Sequence, residues 1–136
     1  MTLEYTNQHA RINWSQLRQD LINDDFHNGR STAQLQSSFE NSQIVVYVMD
    51  EGRCIATARA LSDNICNCYV VDVWTRTSHR NQRIASEMMN RIIDSVPGQH
   101  IYLQTDDAVP FYKKLGFEPQ PEGLSLVSGL WLDNGN

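Results

Sequence analysis

No glycine occurs in the basic stretch "RTSHRNQR", residues 76–83, although it leads from a strand-like run, "CYVVDVWT", into a helix-like one, "IASEMMNRIIDSV". Turns that cradle phosphate usually carry glycine, so its absence poses a question about what this turn holds. Other absences narrow the answer. Neither terminus carries an apolar run of targeting or membrane-spanning length, which predicts a soluble, cytoplasmic protein with no membrane partner. There is no repeat, low-complexity run or linker, so the 136 residues read as one domain, 1–136. There is no excess of positive charge. The formal net charge of −5 argues against nucleic acid and fits a small cationic substrate or a solvated acidic surface. Cysteine is scarce and odd in number: Cys54, Cys66 and Cys68 read as reduced thiols. Cys66 and Cys68 would share a strand face, but no second CxC or HxH pair completes a metal site, so no metal is expected.

What is present is well patterned. "NWSQLRQDLIND" places Trp14, Leu17, Leu21 and Ile22 at helical spacing behind Asn13 as a cap. "STAQLQSSF" predicts a second short helix, with Leu35 and Phe39 four apart. "QIVVYVM" and "CIATARAL" read as the strands of a hairpin around the turn "DEGR". A turn at "SDN" precedes the long strand "CNCYVVDVWT". A helix from about Asn81 to Val96 carries Ile84, Met88, Ile92 and Val96 at i, i+4 spacing, and Pro97-Gly98 ends it. "HIYLQT" predicts a short strand, and "AVPFYKKL" a last helix with Gly116 as its left-handed C-cap. "LSLVSGLWL" is expected to be an edge or closing strand, a candidate for pairing across a homodimer.

The strand–turn–helix–strand unit implies a right-handed crossover and a parallel pair, while the short turns before it imply antiparallel strands. The expected class is α+β with a mixed, mostly antiparallel sheet flanked by helices, its ligand site where the parallel strands end. Helix N-termini leave amides free and carry partial positive charge, so the turn can bind phosphate without glycine. Arg76, Arg80 and Arg83 would add charge to it.

The segments "DVWTRTSHRNQRIASEMM" and "YLQTDDAVPFYKKLGF" resemble the Gcn5-related N-acetyltransferase (GNAT) superfamily. The family's cofactor loop, R/Q-x-x-G-x-G/A, falls on Arg80, Asn81, Gln82, Arg83, Ile84 and Ala85. Its second mark, A-x-x-x-Y-x-x-x-G-F, falls on Ala108, Tyr112, Gly116 and Phe117 with the spacing intact. "ARALSD" is similar to a subgroup of small bacterial and plastid acetyltransferases, some acting on arylalkylamines. The resemblance spans roughly Ile44 to Phe117. Arg83 stands where the family has glycine, Asn81 where it often does, Thr105 where it often has asparagine, and Thr77 where it commonly has proline.

The resemblance implies a GNAT fold whose central parallel strand pair splays at the cofactor site. It implies acetyl transfer from acetyl-CoA to a primary amine, a small molecule, by direct attack in a ternary complex. The backbone of Val73, Trp74 and Thr75 would pair with the pantetheine arm. Asn81 to Ser86, with Arg80, would hold the pyrophosphate, and Thr105 would assist in cofactor binding. Tyr112 matches the family's general acid. Asp72, a carboxylate in an apolar strand, would accept the amine's proton or anchor the substrate, or else pair with Arg59. Asp106 and Asp107 would draw in a cationic amine, or cap the last helix. Two further readings remain: a catalytically degenerate module that binds acyl-CoA or a protein partner, and a transferase acting on a protein N-terminus or lysine.

Overall fold

The computed structural model describes residues 2–134. The chain divides into two compact units, residues 1–104 and 105–136. The first contains a five-stranded sheet in the order β1-β2-β3-β4-β5: β1 Glu4–Thr6, β2 Ile44–Asp50, β3 Arg53–Ser62, β4 Asn67–Thr75 and β5 His100–Tyr102. The first four strands pair antiparallel, and β5 joins β4 in parallel. The mixed, mostly antiparallel sheet is therefore as expected, but the parallel pair closes one end of it rather than lying at its centre. The three-residue strand β1 escaped the sequence reading because so short a segment carries no period.

Helices α1 (Trp14–Asn23) and α2 (Thr32–Glu40) precede the hairpin. Asn13 caps α1 through the Gln16 amide. Ser31 and Gln34 close a reciprocal capping box on α2. The apolar stripe of α1 and α2 meets Tyr47, Met49, Cys54 and Trp74 in one buried cluster. Phe39 is its centre, stacked on Tyr47 at 5.7 Å and tilted against Trp14 at 5.7 Å. Burying each such side chain fully contributes about 1.5–3 kcal/mol.

Val46 and Val48 alternate with Tyr47 and Met49 along β2, and all four are buried, so both faces of the strand are covered. Helix α3 (Ile84–Ser95) packs on β2, β3 and β4 through Ile84, Met88, Met89 and Ile92. The two methionines are fully buried, as core residues should be. The Glu51–Gly52 turn joins β2 to β3 with both residues at positive φ, 49° and 81°. That geometry matches the twist of an antiparallel pair.

The second unit holds α4 (Val109–Lys114), ended by Gly116 at φ 102°, the left-handed C-cap that the sequence predicts. The expected closing strand at "LSLVSGLWL" does not form. Its residues lie in no strand, with Leu124 and Leu126 90% and 93% exposed. Alternation at those positions gives strand character, but without a partner edge the backbone has no ladder to join. Among the described residues, no helix is long and apolar enough to cross a membrane.

Candidate functional site

The site is built where β4 loses its partner. β5 pairs only with Asn67, Cys68 and Tyr69, so Val70–Thr75 have no ladder partner on that side among the described residues. Opposite, on the β3 side, the register runs Thr57 to Trp74 but Arg59 to Val71. Ala58 therefore faces both Asp72 and Val73, a β-bulge, and Asp72 takes φ 55°. The Thr57 hydroxyl donates to the Asp72 carbonyl at 2.9 Å and secures the bend. Beyond the bulge Trp74 and Thr75 pair again with Thr57 and Ala56 of β3, and the other edge of Val73–Thr75 stays open.

Asp72 sits among two arginines. Arg30 donates to it through Nη1 at 2.8 Å and Nη2 at 3.1 Å, and Arg59 through Nε at 2.6 Å. The side chains are 13% (Asp72), 6% (Arg30) and 14% (Arg59) exposed. Burial alone would push the carboxyl's pKa up. Hydrogen bonding and charge from Arg30, with the charge of Arg59, outweigh it and hold the pKa below its ordinary value. Of the sequence readings of Asp72, the geometry carries the ion pair, with Arg30 as an additional member. A carboxylate stabilised by two cations is a poor proton acceptor.

Beyond Thr75 the basic turn begins, and nearly every basic side chain in it meets an acid. Arg76 approaches Asp20 at 3.8 Å, His79 Nε2 lies 2.7 Å from Asp50, and Arg80 Nη2 lies 3.7 Å from Asp24. Arg80 also donates through Nε to the Thr75 carbonyl at 3.0 Å. His79 is thus drawn in: its side chain is only 13% exposed. The Arg83 side chain is exposed and has no hydrogen-bond or ion-pair partner among the described residues.

Asn81 and Arg83 hold φ 63° and 61°, the left-handed conformation that glycine adopts without strain. That is why α3 begins at Ile84 and not at Asn81. Arg83 is the N-cap, with no side chain capping the helix, and the first helical bond runs from the Glu87 amide to the Arg83 carbonyl at 3.1 Å. The first-turn amides of Ile84, Ala85 and Ser86 are left for an external acceptor. Free amides with a free guanidinium beside them form the donor set that a pyrophosphate requires, so the turn fits the phosphates of acetyl-CoA.

Trp74 belongs to the helix layer: its ring joins the α1–α2 cluster and its Nε1 donates to Asp24 at 2.9 Å. In the second unit, the Thr105 hydroxyl accepts the Ala108 amide at 3.1 Å and closes the turn before α4. Asp106 and Asp107 are exposed, and no acid caps α4. Tyr112 is buried between Phe111 and Phe117, its ring 4.9 Å and 5.7 Å from theirs. Burial, then the charge of Asp107, push its phenol pKa up.

The sequence reading missed Arg30, Asp20, Asp24 and Asp50. Asp20 left a signal: it lies on the apolar face of α1 beside Leu17 and Leu21, where a lone charge needs a partner. Arg53 supplies one at 2.6 Å.

A strand bulged on one edge and open on the other thus leads into a helix with no side-chain cap. Residues 7–117 match the Acetyltransferase (GNAT) family, and the chain belongs to it. It is 26% identical over 120 residues to "Histone acetyltransferase TAP1" of Glycine max, covering 77% of this chain and 51% of that protein. It is 28% identical over 101 residues to "GCN5-related N-acetyltransferase 1, chloroplastic" of Arabidopsis thaliana, covering 70% and 51%. The chain thus spans about half the length of the curated relatives it matches. Among solved structures, a GNAT-family protein of Xanthomonas campestris superposes with a TM-score of 0.81 at 21% identity, covering 97% of this chain and 98% of that one. A predicted acetyltransferase with acetyl-CoA from Clostridium acetobutylicum superposes at 0.71 with 22% identity, covering 93% and 96%.

Asp72→Asn leaves two buried guanidinium groups facing an amide, so it should destabilise the fold by about 3–5 kcal/mol at neutral pH. A lowered folded pKa means that the carboxylate's contribution is complete above the ordinary carboxylate range and is lost as pH falls below about 4. Urea unfolding of both proteins from pH 7 downward should show the gap closing under acid. A gap independent of pH would remove Asp72 as the source.

Proposed function

We propose that this chain is an N-acetyltransferase that moves the acetyl group of acetyl-CoA to a primary amine, a small molecule, by direct attack in a ternary complex. The observation that carries this reading is the unpaired edge at Val70–Thr75 running directly into an uncapped helix N-terminus. One offers backbone groups to an amide-bearing arm, the other offers donors to a pyrophosphate.

In this reading, Val73, Trp74 and Thr75 hold the arm through their backbone, and one of their amides donates to the thioester oxygen as charge develops there. Arg80 orients the turn. Asn81, Gln82, Arg83, Ile84, Ala85 and Ser86 bind phosphate, with Thr105 as a further cofactor contact. The amine nitrogen attacks the carbonyl carbon, the C–S bond breaks, and the thiolate takes the Tyr112 proton. Burial and the charge of Asp107 raise its pKa, so the phenol is protonated at neutral pH but is a weaker acid than a free phenol. The amine's proton leaves to water or a base, and Asp72 anchors the bulge and the acceptor side. Asp106 and Asp107, both exposed, attract the cationic amine. The relative named as a histone acetyltransferase makes protein lysine the second acceptor class to test.

Acetyl-CoA at millimolar concentration should raise the thermal midpoint, because a ligand that binds only the native state stabilises it by mass action. Absence of any shift would remove the cofactor assignment. With wild type active on a panel of small amines and a histone peptide, Tyr112→Phe should lower turnover by about 10²- to 10⁴-fold while cofactor binding stays intact. An unchanged rate returns Tyr112 to a packing role. Arg83→Ala should weaken acetyl-CoA binding several-fold at low salt, about the loss of one charge-assisted contact, and the loss should shrink at high salt. Equal affinities at both salt concentrations would place the Arg83 side chain in solvent.

A further inference from the structure

One carboxylate joins three parts of the site. Asp24 ends α1 as its C-cap, its amide bonded back to the Asp20 and Leu21 carbonyls at 3.2 Å. Its side chain then leaves the helix and is only 11% exposed. Oδ2 accepts the Trp74 indole N–H at 2.9 Å and the Thr77 backbone N–H at 3.3 Å. Oδ1 accepts the Thr77 hydroxyl at 2.6 Å. Arg80 stands 3.7 Å away. Trp74 lies in the strand segment assigned to the thioester end of the cofactor. Thr77 and Arg80 lie in the turn that delivers the chain to the phosphate-binding amides. Between them run only Thr75 and Arg76.

We infer that Asp24 is a positioning residue that fixes the spacing between the end of β4 and the phosphate turn, so that one extended cofactor meets both. This rests on the reading of those two segments as the cofactor site. A cofactor bound at two ends gains affinity from both only when the protein holds them at the right separation. Thr77 stands where the family commonly has proline. A proline would stiffen the turn by its fixed φ, whereas here the stiffness comes from a hydroxyl and an amide bonded to Asp24. A carboxylate suits the junction because all its neighbours are donors. An asparagine would aim its NH₂ at one of them.

The test is calorimetric titration of acetyl-CoA into wild type, Asp24→Asn, Thr77→Val and the double variant, with amide hydrogen exchange on each free protein. Asp24→Asn should raise the Kd about 10-fold and Thr77→Val about 3-fold. The double variant should be no weaker than Asp24→Asn alone, because both remove the same junction. Exchange should quicken at Thr77–Arg80 in the free variants. Thr77 is exposed, so Thr77→Val carries the test if Asp24→Asn fails to fold. Variants that lose thermal stability or exchange protection but bind with the wild-type Kd would overturn the inference and leave Asp24 as a fold-stabilising group. Absence of binding by wild type would overturn the cofactor reading and this inference with it.

Discussion

The Asp72 carboxylate is the constraint around which this fold is arranged. It occurs in a strand whose neighbours are apolar, at a residue forced into the left-handed region by the bulge. A buried carboxylate is stable only with its charge matched and its lone pairs occupied. Arg59 comes from the adjacent strand, and Arg30 from the loop between α1 and α2. Arg30 is itself held by the Ser38 hydroxyl and the His27 carbonyl, and Arg59 lies over the Phe39 ring. Matching one charge therefore ties β3, β4, α2 and the α1–α2 loop together. With Asp24 bonded to Trp74 and Thr77, that loop is strapped to β4 at both of its ends. The part of β4 that has lost β5 as a neighbour is thus held from the helix side.

The same logic governs the basic turn. In a chain of net charge −5, the acids are not all surface decoration: Asp20 and Asp24 each face an arginine of the turn, and Asp50 faces its histidine. Hydrogen bonds from Thr77 and Trp74, with the charge of Arg80, overcome burial and lower the Asp24 pKa, so that it stays charged at neutral pH. The side chains of Arg76, His79 and Arg80 are spent on holding the turn's shape. Arg83 is left with its charge unmatched at the mouth of the helix. A turn rich in arginine thus offers a ligand chiefly amides and one guanidinium, which is a narrower electrostatic feature than its composition suggests.

How far the sequence reveals this follows from the range of each interaction. The helices behind Asn13 and Ser31, the Glu51–Gly52 hairpin and the Gly116 cap are local. Each is decided by residues within about one turn, and each was legible. The strand–turn–helix order was legible because apolar periodicity changes from two to 3.6 on either side of it. The Asp72 ion pairs and the Asp24 contacts were not. Asp24 meets Thr77 across 53 positions and Arg30 meets Asp72 across 42, and no pattern in one chain pairs such residues. Arg59 alone was foreseeable as a partner of Asp72, because strands joined by a short turn must lie side by side. Alternation at Leu124 and Leu126 misled for the opposite reason: it measures fitness for a strand and not the presence of an edge to pair with.

The glycine missing from residues 76–83 finds its explanation in the backbone. Asn81 and Arg83 adopt the φ values that glycine would supply, at a cost of about 1–3 kcal/mol for a bulky residue in that region. Such strain persists only where the surroundings over-determine the conformation. Here they do: Asp20, Asp24 and Asp50 fix the turn on one side, and the buried Ile84, Met88 and Met89 fix α3 on the other. With both ends held, the three residues between them, Asn81 to Arg83, must close the remaining gap, whatever side chains they carry. The first-turn amides of α3 are then left without a side-chain cap, as they would be after glycine. What a Cβ takes from the closeness of approach, the guanidinium of Arg83 stands ready to offset with charge. Glycine in such a loop is therefore one means of reaching a backbone shape. A chain with enough long-range ion pairs can reach the same shape without it.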